Sequence, residues 1–167
     1  MTDETDAVDR ITGQWARELP DMGLRAMEVF GRVHRVSQHT ARLIDPIYAR
    51  HGIGRAEFDV LASLRRSGEP YTLSPKQISG TLMLTSGGLT GRLDKLEKAG
   101  LIERLPDPDD RRALRVRLTD AGRTAVEAAV RAGVEAQQKI LDVLTPDEQA
   151  VLAGLLRRVH LAYTGEL

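Results

Sequence analysis

The chain of 167 residues is 41% apolar, carries 24 Lys and Arg against 24 Asp and Glu for a formal net charge of +0, and has no cysteine. That length supports one real core plus helical extensions, and the missing thiols exclude disulfide staples, thiolate zinc sites, cysteine nucleophiles and thiol redox sensing. No apolar run reaches bilayer length and the opening MTDETDAVDR is acidic, so neither a membrane span nor a signal segment is expected, and a cytoplasmic location is.

A balanced charge leaves nucleic-acid affinity to local placement. Asp3, Glu4, Asp6 and Asp9 load acid onto the first residues, whereas Arg111, Arg112, Arg115 and Arg117 cluster far from them.

In chain order, apolar residues recur at helical spacing from Gly23 to about Arg50, through Leu24, Met27, Val33, Val36, Leu43, Ile44 and Ile47. The pattern predicts a long helix that bends or ends near Asp45-Pro46. A second helix is expected over Arg55 to Arg66, with Phe58, Leu61 and Leu64 on one side and Ser67-Gly68-Glu69-Pro70 as its stop. Ser74-Pro75-Lys76-Gln77 opens a third, with serine at the cap and glutamine three residues on. Thr85 caps the next, in which Leu89, Leu93 and Leu96 form an apolar stripe and Ala99-Gly100 the end. Its opposite face carries Gly87, Thr90, Gly91, Asp94 and Lys98, small enough in part to let a helix approach DNA bases closely.

Leu101 to Leu105 and Ala113 to Leu118 read as two strands joined by Pro106-Asp107-Pro108-Asp109-Asp110-Arg111-Arg112. In the second, Leu114, Val116 and Leu118 alternate with Arg115 and Arg117, predicting a buried face and a cationic one. Thr119 then caps a helix of about two dozen residues, and Thr145-Pro146-Asp147-Glu148 opens a terminal helix with Val151, Leu152, Leu155, Leu156 and Val159.

The order is that of a winged helix-turn-helix, and the expected fold class is mainly α (α+β). The winged domain covers 55–118, with N-terminal helices over 1–54 and C-terminal dimerisation helices over 119–167. Apolar stripes on the flanking helices exceed what the small middle domain can cover, so a two-fold homodimer is expected. Two recognition helices would then lie roughly 34 Å apart and read a palindrome on double-stranded DNA.

Between two alternating strands, Arg111 and Arg112 suit DNA contact rather than a plain solvated turn. Arg115, Arg117, Lys76 and Lys95 suit phosphates, with solvent exposure the alternative. His34, His39, His51 and His160 lack the spacing of a metal site and read as surface or packing residues, so no metal or cofactor is expected. No nucleophile motif, phosphate-binding glycine loop or carboxylate pair points to an enzyme.

Thr85-Ser86-Gly87-Gly88-Leu89-Thr90, then Arg92-Leu93-Asp94-Lys95-Leu96-Glu97 and Gly100-Leu101-Ile102, together with Asp107-Pro108-Asp109-Asp110-Arg111-Arg112 and Leu118-Thr119-Asp120-Ala121-Gly122, resemble the MarR family of bacterial transcription regulators. The resemblance covers essentially the whole chain. It implies that the helix opening at Thr85 enters the major groove, with Ser86, Gly87 and Thr90 near bases or phosphates. It also implies that Asp110 holds Arg112 for the adjacent minor groove, whose negative potential attracts a preorganised guanidinium.

A narrower resemblance concerns the effector. Trp15 in GQWARELPD, Asp59 in Glu57-Phe58-Asp59-Val60-Leu61, Arg92 and Arg104 fall where a urate-responsive subgroup with an extra N-terminal helix carries its ligand residues. An indole face, two guanidiniums and an orienting carboxylate suit a small planar anionic ligand such as urate. The resemblance implies a repressor released by that ligand. Two other readings stand beside it: the same regulator answering to a different phenolic or carboxylate ligand or to none, and an architectural DNA-binding or interaction protein. Gly91 stands where the subgroup usually has asparagine, and Asp109 where many family members have arginine.

Overall fold

The computed structural model describes residues 5–82, 86–108 and 113–164. Among them the chain forms seven helices and a three-stranded sheet, dividing into two compact units at residues 43 and 44. The first unit holds α1 (Ala7–Glu18) and the start of α2 (Arg25–Arg50). α1 begins at a reciprocal cap, Asp6 accepting from the backbone of Val8 and Asp9 while Asp9 accepts from Asp6 N–H. Arg32 of α2 bonds both acids, Nε to Asp6 at 2.9 Å and Nη2 to Asp9 at 2.5 Å, and Val8 packs against Gly31.

The second unit continues with α3 (Arg55–Arg66), β1 (Thr72–Leu73), α4 (Pro75–Leu82), α5 (Ser86–Lys98), β2 (Ile102–Pro106), β3 (Leu114–Leu118), α6 (Asp120–Leu141) and α7 (Pro146–Thr164). One core gathers Ile44, Ile47 and Tyr48 with Val60, Leu61 and Leu64 of α3, Ile78 of α4, the Leu89, Leu93 and Leu96 stripe, Val116 and Val126. Every residue of that stripe is buried, as its spacing predicts. This is a mainly helical winged helix-turn-helix, in agreement with the sequence pattern.

The local signals act as expected at most boundaries. Ser74 N–H donates to Gln77 and Gln77 N–H to Ser74 Oγ, opening α4. Thr119 Oγ1 accepts from Gly122 N–H at 3.0 Å to open α6, and Thr145 and Glu148 exchange the same kind of bonds before α7. Gly122 sits where a Cβ would collide with the carbonyl oxygen of Leu101, so only glycine lets α6 start against the end of the α5–β2 link.

Three features sharpen or correct the expectation. Pro46 does not end α2, which runs on to Arg50; the two residues after the proline, Ile47 and Tyr48, are buried in the core, and that burial offsets the helical hydrogen bond proline removes. A third strand exists: β1 pairs antiparallel with β3 in the order β1-β3-β2, with Thr72 opposite Arg117 and Leu73 opposite Val116. Leu114 is exposed rather than inward, because its partner Pro106 lies at the far end of the hairpin, away from the core. Among the described residues no helix is long and apolar enough to cross a membrane.

Candidate functional site

α4 and α5 form the helix-turn-helix, and α5 leads straight into the wing. Gly100 takes a positive φ of 71°, and Leu101 N–H reaches back to the carbonyl of Leu96 at 3.0 Å, so β2 starts two residues after the stop. With the leucine stripe buried, Gly88, Thr90, Gly91, Asp94 and Lys98 are exposed on the other side of α5. Ser86 and Gly87 open the helix, and Lys76 is exposed on α4. Thr85 and the wing-tip residues Asp110, Arg111 and Arg112 lie outside the described residues.

Several cations that the sequence pattern turns toward phosphates already hold carboxylates. Arg115 Nε meets Asp107 Oδ2 at 2.8 Å, Arg117 Nε meets Glu103 Oε1 at 2.7 Å, and Lys95 Nζ meets Glu57 Oε1 at 2.9 Å. Glu57 stands in the first turn of α3 after the Gly54 cap. Burial pushes its carboxyl up, but Lys95 and the backbone N–H groups of Glu57 and Gly54 outweigh that and hold it below the usual carboxylate range. It therefore links the start of α3 to the recognition helix.

The proposed effector residues fall into separate places. Asp59 is half-buried on α3, and among the described residues its carboxylate makes no hydrogen bond or ion pair. Burial pushes its pKa up, against the attraction of Arg55, Arg92 and Arg66, so the structure does bring Arg92 into electrostatic range of Asp59. Arg104 turns elsewhere. Its Nη2 donates to Asp94 at 2.6 Å, its Nη1 to Glu97 at 2.8 Å, and its backbone N–H to the same Glu97 at 3.2 Å. Asp94 and Glu97, three residues apart, occupy the flank of α5 across the leucine stripe from Arg92. Arg104 is thus bound to one side of the recognition helix while Asp59 faces the other.

On that side Arg104 lines a cavity of about 610 Å³ with Lys76, Thr90, Leu93, Asp94 and Leu114. Trp15 is half-exposed on α1, within the first unit. Sequence reasoning missed Glu57, Asp94 and Glu97 as partners, and only the three-residue spacing of the last two hinted at a shared face.

Residues 51–113 match a MarR family model. The HTH-type transcriptional regulator PecS of Dickeya dadantii is 40% identical over 153 residues, 92% of each chain. This chain belongs to the MarR family. The multiple antibiotic resistance protein MarR of Escherichia coli, 34% identical, aligns over 76% of this chain and 87% of its own. The crystal structure of a cysteine-to-serine mutant of E. coli MarR complexed with operator DNA matches with a TM-score of 0.69 at 33% identity, covering 87% of this chain and 96% of that one. The residues matched by the family model span α3, β1, α4, α5 and β2 and stop just before β3.

Proposed function

We propose that this chain is a homodimeric, ligand-responsive repressor that binds a palindromic operator and leaves it when a small planar anion, urate or a relative, binds. The observation that carries the reading is α5 itself: its leucine stripe is buried, its small and polar face is exposed, and Arg104 ties it to the wing. The E. coli MarR relative solved with operator DNA supports the same use of these elements. The second copy is supported by apolar side chains left open on the C-terminal helices, including Val134 on α6 and Val151, Leu155 and Val159 on α7.

Arg55, Arg66 and Arg92, which all act on the single carboxylate of half-buried Asp59, supply an electropositive place for an anion beside the recognition helix. An anion that competes with Asp59 for Arg92 shifts α5, and linkage requires operator DNA to weaken the ligand by the same factor. Fluorescence anisotropy with a palindromic operator, with and without urate and over a salt series, tests the reading. Loss of operator affinity on urate addition supports it; unchanged urate affinity in the presence of operator would defeat it. Retained preference for one palindrome as salt rises separates a regulator from an architectural binder.

The orientation of Arg104 favours a second version of the same function. In that version a phenolic or carboxylate ligand occupies the cavity beside Thr90 and Lys76 and competes with Asp94 and Glu97 for the guanidinium. Release by benzoate-sized acids but not by urate would distinguish it.

A further inference from the structure

We infer that Glu57 is a specificity residue for DNA: a buried counter-charge that withholds Lys95 of α5 from phosphates and so weakens sequence-independent attraction. The inference rests on the operator-binding reading above and adds a residue to it. Lys95 follows Arg92 by three positions, on the flank of α5 turned toward α3. Its side chain is 68% exposed, within reach of a phosphate, yet its Nζ lies 2.9 Å from Glu57 Oε1 and the two charges cancel.

The burial of the acid decides how firmly the charge is withheld. The Glu57 side chain is 12% exposed, whereas those of Glu135 and Glu103, which hold Lys139 and Arg117, are 70% and 41% exposed. Glu135 and Glu103 turn to water when a phosphate takes their cation. Glu57 sits in the first turn of α3, packed against Gly54, and losing Lys95 strands its charge away from solvent. Asp107 is as closed off, but it holds Arg115 of the wing rather than a cation of α5.

Burial raises the Glu57 pKa, yet Lys95 and the backbone bring it below the ordinary glutamate value, so the acid is charged at neutral pH. On the other flank of α5, Asp94 and Glu97 hold Arg104. Both flanks therefore present paired cations, in a chain whose formal net charge is +0. A helix neutralised in this way draws less affinity from counterion release and leaves a larger share to base contacts.

The test measures binding of the full chain, by anisotropy over a salt series, to a labelled random-sequence duplex and to a palindrome that the wild type selects from a random pool. In Glu57→Gln the amide still accepts from the backbone and Lys95 is released. The fall of log K with log salt on the random duplex should steepen by about 0.9 per subunit, and affinity for it at about 50 mM salt should rise about tenfold. The selected palindrome should gain less, because it fixes α5 in one register, whereas a sliding complex lets Lys95 reach whichever phosphate is near. Glu57→Gln with Lys95→Gln should return to the wild-type slope. Glu57→Gln with Lys139→Gln, which restores the net charge from the last turn of α6, should keep the steeper one. Lys95→Gln alone should leave the slope nearly unchanged; a loss of about 0.9 would mean that Lys95 already binds phosphate and would overturn the inference. An unchanged slope in Glu57→Gln, an equal gain on both duplexes, or a rise that survives removal of Lys95 would overturn it while leaving operator binding intact. A wild type that selects no palindrome would overturn the operator-binding reading and this inference together.

Discussion

Arg104 on β2 holds Asp94 on α5 at 2.6 Å while its other nitrogens hold Glu97, so the first strand of the wing and the exposed flank of the recognition helix move as one piece. Arg104 is three-quarters buried and its partners are partly exposed, so the contribution to stability is that of a shielded surface network, about 1 kcal/mol. Arg104→Ala is therefore expected to lower unfolding free energy in urea by about that amount and to loosen the wing relative to α5. Operator affinity should fall more than stability does. Arg104→Lys, which can reach one acid but not both, should fall between the two.

The Glu57–Lys95 pair makes a second connection to α5, from the opposite side. Glu57 contributes both to the α3 start and to Lys95, so Glu57→Ala should cost about 1–2 kcal/mol, and Glu57→Gln less, because the amide oxygen still accepts from the backbone. The sign with pH follows from the lowered carboxyl. Its stabilisation is present above the ordinary glutamate pKa and is lost as pH falls through the lower folded value. Urea titrations between pH 3 and 7 should therefore show a steeper acid loss in the wild type than in Glu57→Gln; parallel curves would remove this role.

How much of this was legible in the chain depended on sequence distance. The Ser74–Gln77 and Thr145–Glu148 caps and the α5 stripe were readable because each is written within one or two helical turns. β1 was not, because two residues become a strand only by pairing with β3, where Thr72 faces Arg117. Pro46 left a bend or an end equally open for a related reason: the local rule kinks or stops a helix there, and the burial of Ile47 and Tyr48 that carries α2 on to Arg50 is tertiary. Within the candidate site, Asp59 and Arg92 come into electrostatic range of each other. Arg104 does not join them, because it bonds acids on the far flank of α5, a choice that strand position and helix wheel separately leave open.

Gly122 offers a sharp stability contrast. Replacing a helical glycine by alanine ordinarily stabilises by about 0.5–1 kcal/mol, yet a Cβ here meets the carbonyl oxygen of Leu101, which also accepts from Thr119 N–H at 3.1 Å. Gly122→Ala should destabilise by about 2 kcal/mol or more, since a backbone rather than a flexible side chain must give way. Gly80→Ala, in α4 with open space at its Cβ, should instead follow the ordinary rule. Denaturation of both variants in urea checks the difference.

Asp59 carries its charge at a cost to the fold. Its pKa is raised because burial outweighs the attraction of Arg55, Arg92 and Arg66, and a raised carboxyl stabilises the folded state fully below the ordinary aspartate pKa, an advantage lost as pH rises through the higher folded value. At neutral pH the ionised group is therefore a liability that Asp59→Asn removes. The variant should be at least as stable as the wild type at pH 7 and should lose that advantage as pH falls below the ordinary aspartate value. A residue kept against its stability preference is one whose charge is used, so the same variant should lose its response to an anionic ligand while keeping operator affinity. Paired thermal melts at pH 3.5 and 7, with anisotropy on the operator, measure both halves. A variant less stable at pH 7 than the wild type would mean that the nearby guanidiniums, rather than burial, dominate this carboxylate.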